Sequence, residues 1–269
     1  MKKSLAHVAG LTLAFLLLLM LSGNLSGAAS EILYYAAYVL PISVFFIFVR
    51  RESGEVLSIR ITRKDALFCL PAIAPTVAVT LGISALTSML LSLFGESGSQ
   101  VLKGELWELL ILHALLPAVL EEALFRYAFL SILAPRSRKT AVLVSALLFS
   151  LAHCSLAKIP YAFFAGVVFA VLDLATGSIL PSLVLHTVNN AVSVFWQWEM
   201  STDAFRIPFV AALLILAAVS VLSVAIFRTR YAKMTSFLID KNDKATTTWQ
   251  IWMLAALCLV IAAGSLFEV

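Results

Sequence analysis

The chain consists of long apolar runs separated by short polar breaks. A helix that crosses a bilayer needs about 20 mostly apolar residues, because its backbone polar groups must bond to one another where water is absent. The runs therefore predict an all-α fold, a polytopic integral membrane helical bundle of about eight or nine transmembrane helices. The predicted spans are 7–28, 32–49, 66–94, 106–134, 140–157, 159–176, 178–198, 207–227 and 249–267.

Composition excludes a soluble protein and argues against nucleic acid as a partner. Hydrophobic residues make up 62% of the chain and charged residues only 13%, so lipid must be its solvent. The net charge of +4 comes from basic residues that lie in the breaks between the apolar runs. Such residues set the orientation of membrane helices, which explains them without nucleic acid.

The distribution of basic residues predicts how the chain is oriented. Most of the 19 lysines and arginines lie in alternate breaks, beginning with Lys2 and Lys3. The positive-inside rule then places the N-terminus in the cytoplasm, in what we interpret as a bacterial cytoplasmic membrane. The first span resembles a secretory signal, but we retain it as an uncleaved helix, the ordinary case in a polytopic protein.

The fourth predicted span carries three ionisable residues, Glu121, Glu122 and Arg126, in its middle. Such residues are costly inside a bilayer unless they are paired or hydrated, so each is a functional candidate. Helical spacing lets Glu122 and Arg126 neutralise each other as i,i+4 neighbours, whereas Glu121 points about 100° away around the helix. The alternative is a buried ion network that only holds helices together.

His153, in the next span, is predicted to lie at the same depth as Glu121. The short loop 135–139 makes the two spans an antiparallel hairpin, and both residues are then ~20 Å from its cytoplasmic edge. A carboxylate and an imidazole at one level can hold a water between them, as general-base hydrolysis requires. Taken alone, His153 would more often be a packed, hydrogen-bonded histidine.

The seventh predicted span supplies His186 and Asn190, which share a helix face at i,i+4 spacing. This pair reaches nearly the same layer and could donate hydrogen bonds to the oxyanion of an acyl-transfer reaction. Bonds between membrane helices are the alternative role. Nearby, Gly166 is expected to allow a close helix approach, and Asp173, near the cytoplasmic end of its span, to be hydrated.

These residues form three motifs that resemble those of a known family. E-E-x-x-x-R is present as Glu121–Arg126, F-x-x-x-H as Phe149–His153 and H-x-x-x-N as His186–Asn190. In this order and spacing they resemble the CAAX prenyl endopeptidase and bacteriocin-processing (CPBP, or Abi) intramembrane proteases. The resemblance covers residues 106–198, which we expect to be the catalytic core, flanked by N-terminal helices in 1–105 and C-terminal helices in 199–269.

The resemblance implies a role for each residue. Glu121 and His153 would activate the attacking water, His186 and Asn190 would stabilise the oxyanion, and Glu122 and Arg126 would support them. The partners would then be membrane lipid and a peptide or membrane-protein substrate whose identity stays open.

Metal dependence also stays open. Glu121, His153 and His186 could supply three ligands to a divalent ion such as zinc, yet the chain has no H-E-x-x-H helix, and a ligating glutamate would not also be the free base. Two non-proteolytic alternatives remain: a bacteriocin self-immunity or membrane assembly protein, and a proton-coupled transporter.

Overall fold

The computed structural model describes residues 2–23, 25–50, 57–93, 102, 104–135, 137–202 and 209–236. Within these ranges the chain is helical and contains no strand, apart from one isolated bridge between Ser58 and Ser178. The α-helices are α1 (Lys2–Gly23), α2 (Ala28–Val44), α3 (Arg63–Cys69), α4 (Ile73–Ser92), α5 (Leu106–Leu110), α6 (Leu116–Glu122), α7 (Ser131–Leu133), α8 (Arg138–Leu151), α9 (Ile159–Thr176), α10 (Leu180–Thr202) and α11 (Phe209–Thr235).

The all-helical prediction is confirmed for the described residues, and some of the helices are able to span a membrane. Four helical segments of the described chain are long and apolar enough to cross a bilayer: Ile32–Val49, Arg63–Ser92, Ile159–Thr176 and Ala211–Ala232. The total of eight or nine spans stays a prediction, and the predicted span 249–267 lies outside the described residues. Together, these segments make the chain an integral membrane protein.

The surface of α11 shows what the apolar residues face. Leu214, Ile215, Val221 and Leu222 are each 60–71% exposed, an arrangement that suits a helix surrounded by lipid. The same helix is attached to the rest of the protein through the Pro71 carbonyl, which accepts hydrogen bonds from the Ser223 and Tyr231 hydroxyls, both at 2.7 Å.

A continuous helical rod, residues 106–133, carries the two acidic residues and is called the Glu121 helix below. It runs from α5 through α6 to α7, with two stretches of wider π-helical hydrogen bonding, Ile111–Leu115 and Ala123–Leu130, between them. The first π stretch precedes Pro117, whose missing N–H removes one ordinary helical bond. The second directly follows Glu122, and π-helical turns occur frequently at functional sites.

The predicted span 140–157 is wrong at its C-terminal end. Helix α8 ends at Leu151, and the chain turns before α9 begins at Ile159. Cys154 has a left-handed backbone with φ of 47°, which a continuing helix cannot contain. Residues 152–158 contain no Pro or Gly that would indicate this turn. The turn places His153 just beyond the helix rather than within it.

Helices α8 and α9 pack closely where Gly166 faces Ala146. A Cβ atom added to Gly166 would lie 3.0 Å from the Ala146 Cα atom and 3.2 Å from the Phe149 ring. The predicted close helix approach at Gly166 is therefore confirmed. Because Phe149 also contacts both histidines described below, this approach helps to fix the position of the site.

Replacing Gly166 with alanine should destabilise the protein by about 1–2 kcal/mol, because the destabilisation from overpacking the contact exceeds the gain from the higher helix propensity of alanine. Thermal unfolding of the detergent-purified protein measures the change in stability. Gly82→Ala is the matched control, since nothing lies within 4 Å of a Cβ atom there and the helix should be as stable or slightly more so. Equal stability of the two variants would contradict the close packing.

Candidate active site

Glu121 and Glu122 end α6 with both side chains buried. Glu121 is 8% exposed, Glu122 is 1% exposed, and Arg126, one turn further along the Glu121 helix, is fully buried. Charged groups in such a position must find partners or remain very costly. The partners that the structure provides differ sharply between the two glutamates.

Glu122 is neutralised on both of its carboxylate oxygens. Arg126 Nε lies 3.2 Å from Oε2, and His186 Nδ1 lies 2.8 Å from Oε1. The predicted Glu122–Arg126 ion pair is therefore confirmed, and His186 joins it as a third member. With both oxygens engaged, Glu122 has little freedom to accept a proton from another molecule.

The Arg126 guanidinium is held mainly by aromatic rings. Its central carbon lies 4.4 Å from the centre of the Phe149 ring and 5.5 Å from that of Phe169. Its three nitrogens have no hydrogen-bond partner among the described residues. Cation–π attraction strengthens when the cation is removed from water, so these rings help to retain the charge beside Glu122.

Glu121 has only loose polar contacts. The Tyr38 hydroxyl donates to Oε1 at 3.5 Å, and His186 Nε2 lies 3.8 Å from Oε2, beyond hydrogen-bonding distance. Within the described chain, Oε2 accepts no hydrogen bond. Glu121 is thus the more loosely held of the two buried carboxylates, and its predicted role as the base stays a prediction.

His153 lies in the turn after α8, half-buried, with its ring fixed on one side. Its Nδ1 is 2.9 Å from the Phe149 carbonyl oxygen. Because a carbonyl only accepts, Nδ1 must carry the proton, which leaves Nε2 as the acceptor of the neutral ring. The Phe149 ring meets the His153 ring at 5.1 Å and the His186 ring at 5.4 Å, so both histidines pack against the same aromatic side chain.

His186 is held from three directions on α10. Its Nδ1 faces Glu122, its ring stacks on Phe169 with centroids 5.3 Å apart, and Phe149 meets it edge-on at 5.4 Å. These contacts direct Nε2 toward Glu121. A proton on Nε2 would make it a hydrogen-bond donor in the space beside that carboxylate.

Asn190 lies one turn after His186 on α10 and is half-buried. It makes no hydrogen bond to Glu121, His153 or any other described residue, so its predicted part in oxyanion stabilisation stays a prediction. Its neighbour Asn189 is the bonded amide of the two, because the Asn189 Oδ1 atom accepts from the Thr80 hydroxyl at 2.5 Å.

The expectation that Asp173 is hydrated is wrong. Its side chain is fully buried, and Oδ1 accepts a hydrogen bond from the Ser182 N–H at 3.1 Å. The reason is the sharp corner after α9, where Gly177 adopts a left-handed conformation and α10 turns back over Asp173. Asp173 therefore fixes the first turn of the helix that carries His186.

Sequence reasoning missed the phenols and one aromatic ring near Glu121. Tyr34, Tyr38 and Tyr161 each interact electrostatically with this carboxylate, and Phe169 stacks on His186. Tyr34 and Tyr38 are i,i+4 neighbours in an otherwise apolar span, a spacing that could have indicated a shared polar face. Nothing in the sequence indicates which helix that face meets.

The structure does not assemble the suggested metal ligands. No three of the described His, Cys, Asp and Glu side chains converge as metal ligands. The suggested set of Glu121, His153 and His186 is thus not assembled as a ligand group among the described residues, and metal dependence stays open.

A cavity of about 560 Å³ borders the Glu121 helix on another face. Ala123 and Tyr127 contribute to its wall, together with Arg50 near the end of α2. None of the predicted site residues lines it. The polar site is therefore enclosed by helices rather than formed at the bottom of this cavity.

The Glu122–Arg126 pair should show strong coupling in a double-mutant cycle. Arg126→Met leaves a buried carboxylate short of a partner and should cost about 3–5 kcal/mol. Adding Glu122→Gln should recover part of that loss, because the unpaired charge disappears. Unfolding of the two single variants and the double variant, followed in one detergent, measures the coupling. Additive losses would contradict the pairing.

One comparison with known proteins finds a similarity. Residues 103–192 match the family model described as type II CAAX prenyl endopeptidase Rce1-like. No curated protein and no solved structure matches the chain. The matched residues include all three motifs and the contacts described above among Glu122, Arg126 and His186. This part of the chain is therefore similar to the Rce1-like domain of CAAX proteases.

Proposed function

We propose that the protein is an intramembrane endopeptidase that hydrolyses a peptide bond of a membrane-associated peptide or protein. The observation that carries the proposal is the different environment of two adjacent buried carboxylates. Glu122 has Arg126 Nε at 3.2 Å and His186 Nδ1 at 2.8 Å. The polar contacts of Glu121 are longer, at 3.5 Å to the Tyr38 hydroxyl and 3.8 Å to His186 Nε2. A buried carboxylate of this kind is suited to general-base catalysis. The match to an endopeptidase family supports the same activity.

In the proposed reaction, the Glu121 carboxylate accepts a proton from water as the water oxygen bonds to the carbonyl carbon of the substrate. The carbonyl oxygen becomes an oxyanion. His153, through Nε2, would help to position the water, because its Nδ1 is committed to the Phe149 carbonyl. Because His186 Nδ1 donates to the Glu122 carboxylate, Nε2 can donate to the oxyanion only when the ring carries both protons, so the proposed donor is the imidazolium form of His186. The Asn190 amide would donate beside it.

The second half of the reaction returns the proton. The C–N bond breaks as the oxyanion re-forms a carbonyl, and protonated Glu121 transfers its proton to the departing amine. The products are a carboxylic acid and an amine, and Glu121 regains its charge. Glu122 and Arg126 take no proton in this scheme and serve to hold His186.

Glu121→Gln should lower the rate of peptide cleavage by about 10²–10⁴-fold, because the amide cannot accept the proton while its shape is nearly unchanged. Comparative membrane proteomics of cells producing the wild type or Glu121→Gln identifies a peptide processed only by the former. Cleavage of that peptide by protein purified into nanodiscs then gives the rate.

Glu108→Gln is the matched control, since Glu108 is an exposed carboxylate on the same helical rod. It should cleave at the wild-type rate, and both variants should unfold at the wild-type temperature. Cleavage by Glu121→Gln as fast as by the wild type would refute the catalytic assignment. A retained cellular phenotype in that variant would favour an immunity or assembly function.

We also propose that the protein lies in a bacterial cytoplasmic membrane with its N-terminus in the cytoplasm, as the distribution of basic residues indicates. In a variant whose native cysteines are replaced by serine, Lys158→Cys should react with an impermeant maleimide in intact cells. Pro135→Cys should react only after permeabilisation. Both positions are exposed, so access to solvent does not distinguish them. The opposite labelling pattern would reverse the orientation.

A further inference from the structure

Tyr38 lies outside the Rce1-like domain, yet it is the nearest hydrogen-bond donor to Glu121 among the described residues. It belongs to α2, 83 positions before Glu121, and its side chain is only 5% exposed. Its hydroxyl donates to Oε1 of Glu121 at 3.5 Å. A buried phenol in a membrane helix needs a partner for its O–H, and this carboxylate supplies one.

The position of Tyr38 is fixed by aromatic packing from two sides. Phe15 of α1 meets its ring edge-on, with centroids 4.9 Å apart, and Tyr34 does so at 5.5 Å. Phe15 in turn contacts Phe125 of the Glu121 helix at 5.8 Å. This aromatic chain connects α1 and α2 to the helix that carries the carboxylate, so the phenol cannot move far from it.

We propose that Tyr38 is a positioning residue that orients the Glu121 carboxylate. By bonding Oε1, it leaves Oε2, on the side of His186 Nε2, as the oxygen that accepts the proton. The catalytic meaning of this contact rests on the proposed function, whereas the contact itself does not. If Tyr38 served only for packing, phenylalanine would replace it without any effect on Glu121.

The test is Tyr38→Phe, which keeps the ring and removes the donor. Infrared spectroscopy of the purified protein in nanodiscs locates the carboxyl stretching band of Glu121 as the band that Glu121→Gln removes. This band should shift in Tyr38→Phe. It should stay in place in Tyr35→Phe, the matched control, because Tyr35 packs against Tyr34 and has no hydrogen bond to Glu121. Thermal unfolding verifies that both variants fold.

Cleavage kinetics give the second readout. With the peptide found by membrane proteomics, Tyr38→Phe should lower kcat about tenfold with KM unchanged, the loss expected for one hydrogen bond. An unshifted band would overturn the contact, and a shifted band with wild-type kcat would overturn the positioning role. Should the wild type cleave nothing, the proposed function fails, while the band still reports on Tyr38 independently.

Discussion

The pairing of Glu122 is the interaction on which the rest of the site depends. A carboxylate and a guanidinium that are both shielded from solvent would each be prohibitive if unpaired, and breaking such a pair leaves an uncompensated charge. The structure meets this requirement by converging four helices on one ion pair: the Glu121 helix provides Arg126, α10 provides His186, and the rings of α8 and α9 enclose the cation. The same convergence brings His186 Nε2 toward Glu121, so one constraint on stability also arranges the polar groups proposed for catalysis.

The turns that end α8 and α9 position the two histidines. His153 occupies the turn that follows α8, where a bond to the Phe149 carbonyl fixes its ring. His186 follows a corner at Gly177, where buried Asp173 accepts from the Ser182 backbone and so secures the first turn of α10. In each histidine Nδ1 is bonded, in His153 to the Phe149 carbonyl and in His186 to Glu122, and Nε2 of His186 faces Glu121. A single committed nitrogen determines the tautomer of a neutral histidine, which is how these local bonds influence the chemistry available at the site.

Spacing within one helix was predictable, whereas most contacts between helices were not. The i,i+4 relation of Glu122 and Arg126 follows from helical geometry, and the structure confirms it. The close approach at Gly166 follows from the small size of that residue, and the structure confirms it too. The early end of α8 was missed because residues 152–158 contain no Pro or Gly to indicate a turn. The burial of Asp173 was missed because it arises from a reversal of the chain at Gly177. Hydropathy places a residue along the bilayer normal but carries no information about which neighbouring helix covers it.

The helices outside the Rce1-like domain complete the polar site in physical terms. Tyr38 of α2 bonds Glu121, and Thr80 of α4 bonds Asn189, the neighbour of Asn190. From the matched residues, Glu121 has the contact with His186 Nε2 at 3.8 Å, which is beyond hydrogen-bonding distance. Polar groups inside a membrane protein must find partners within the protein, because lipid offers none. Flanking helices can therefore differ widely in sequence and still be required to present a donor at this level, since a hydroxyl from many positions could serve the same carboxylate.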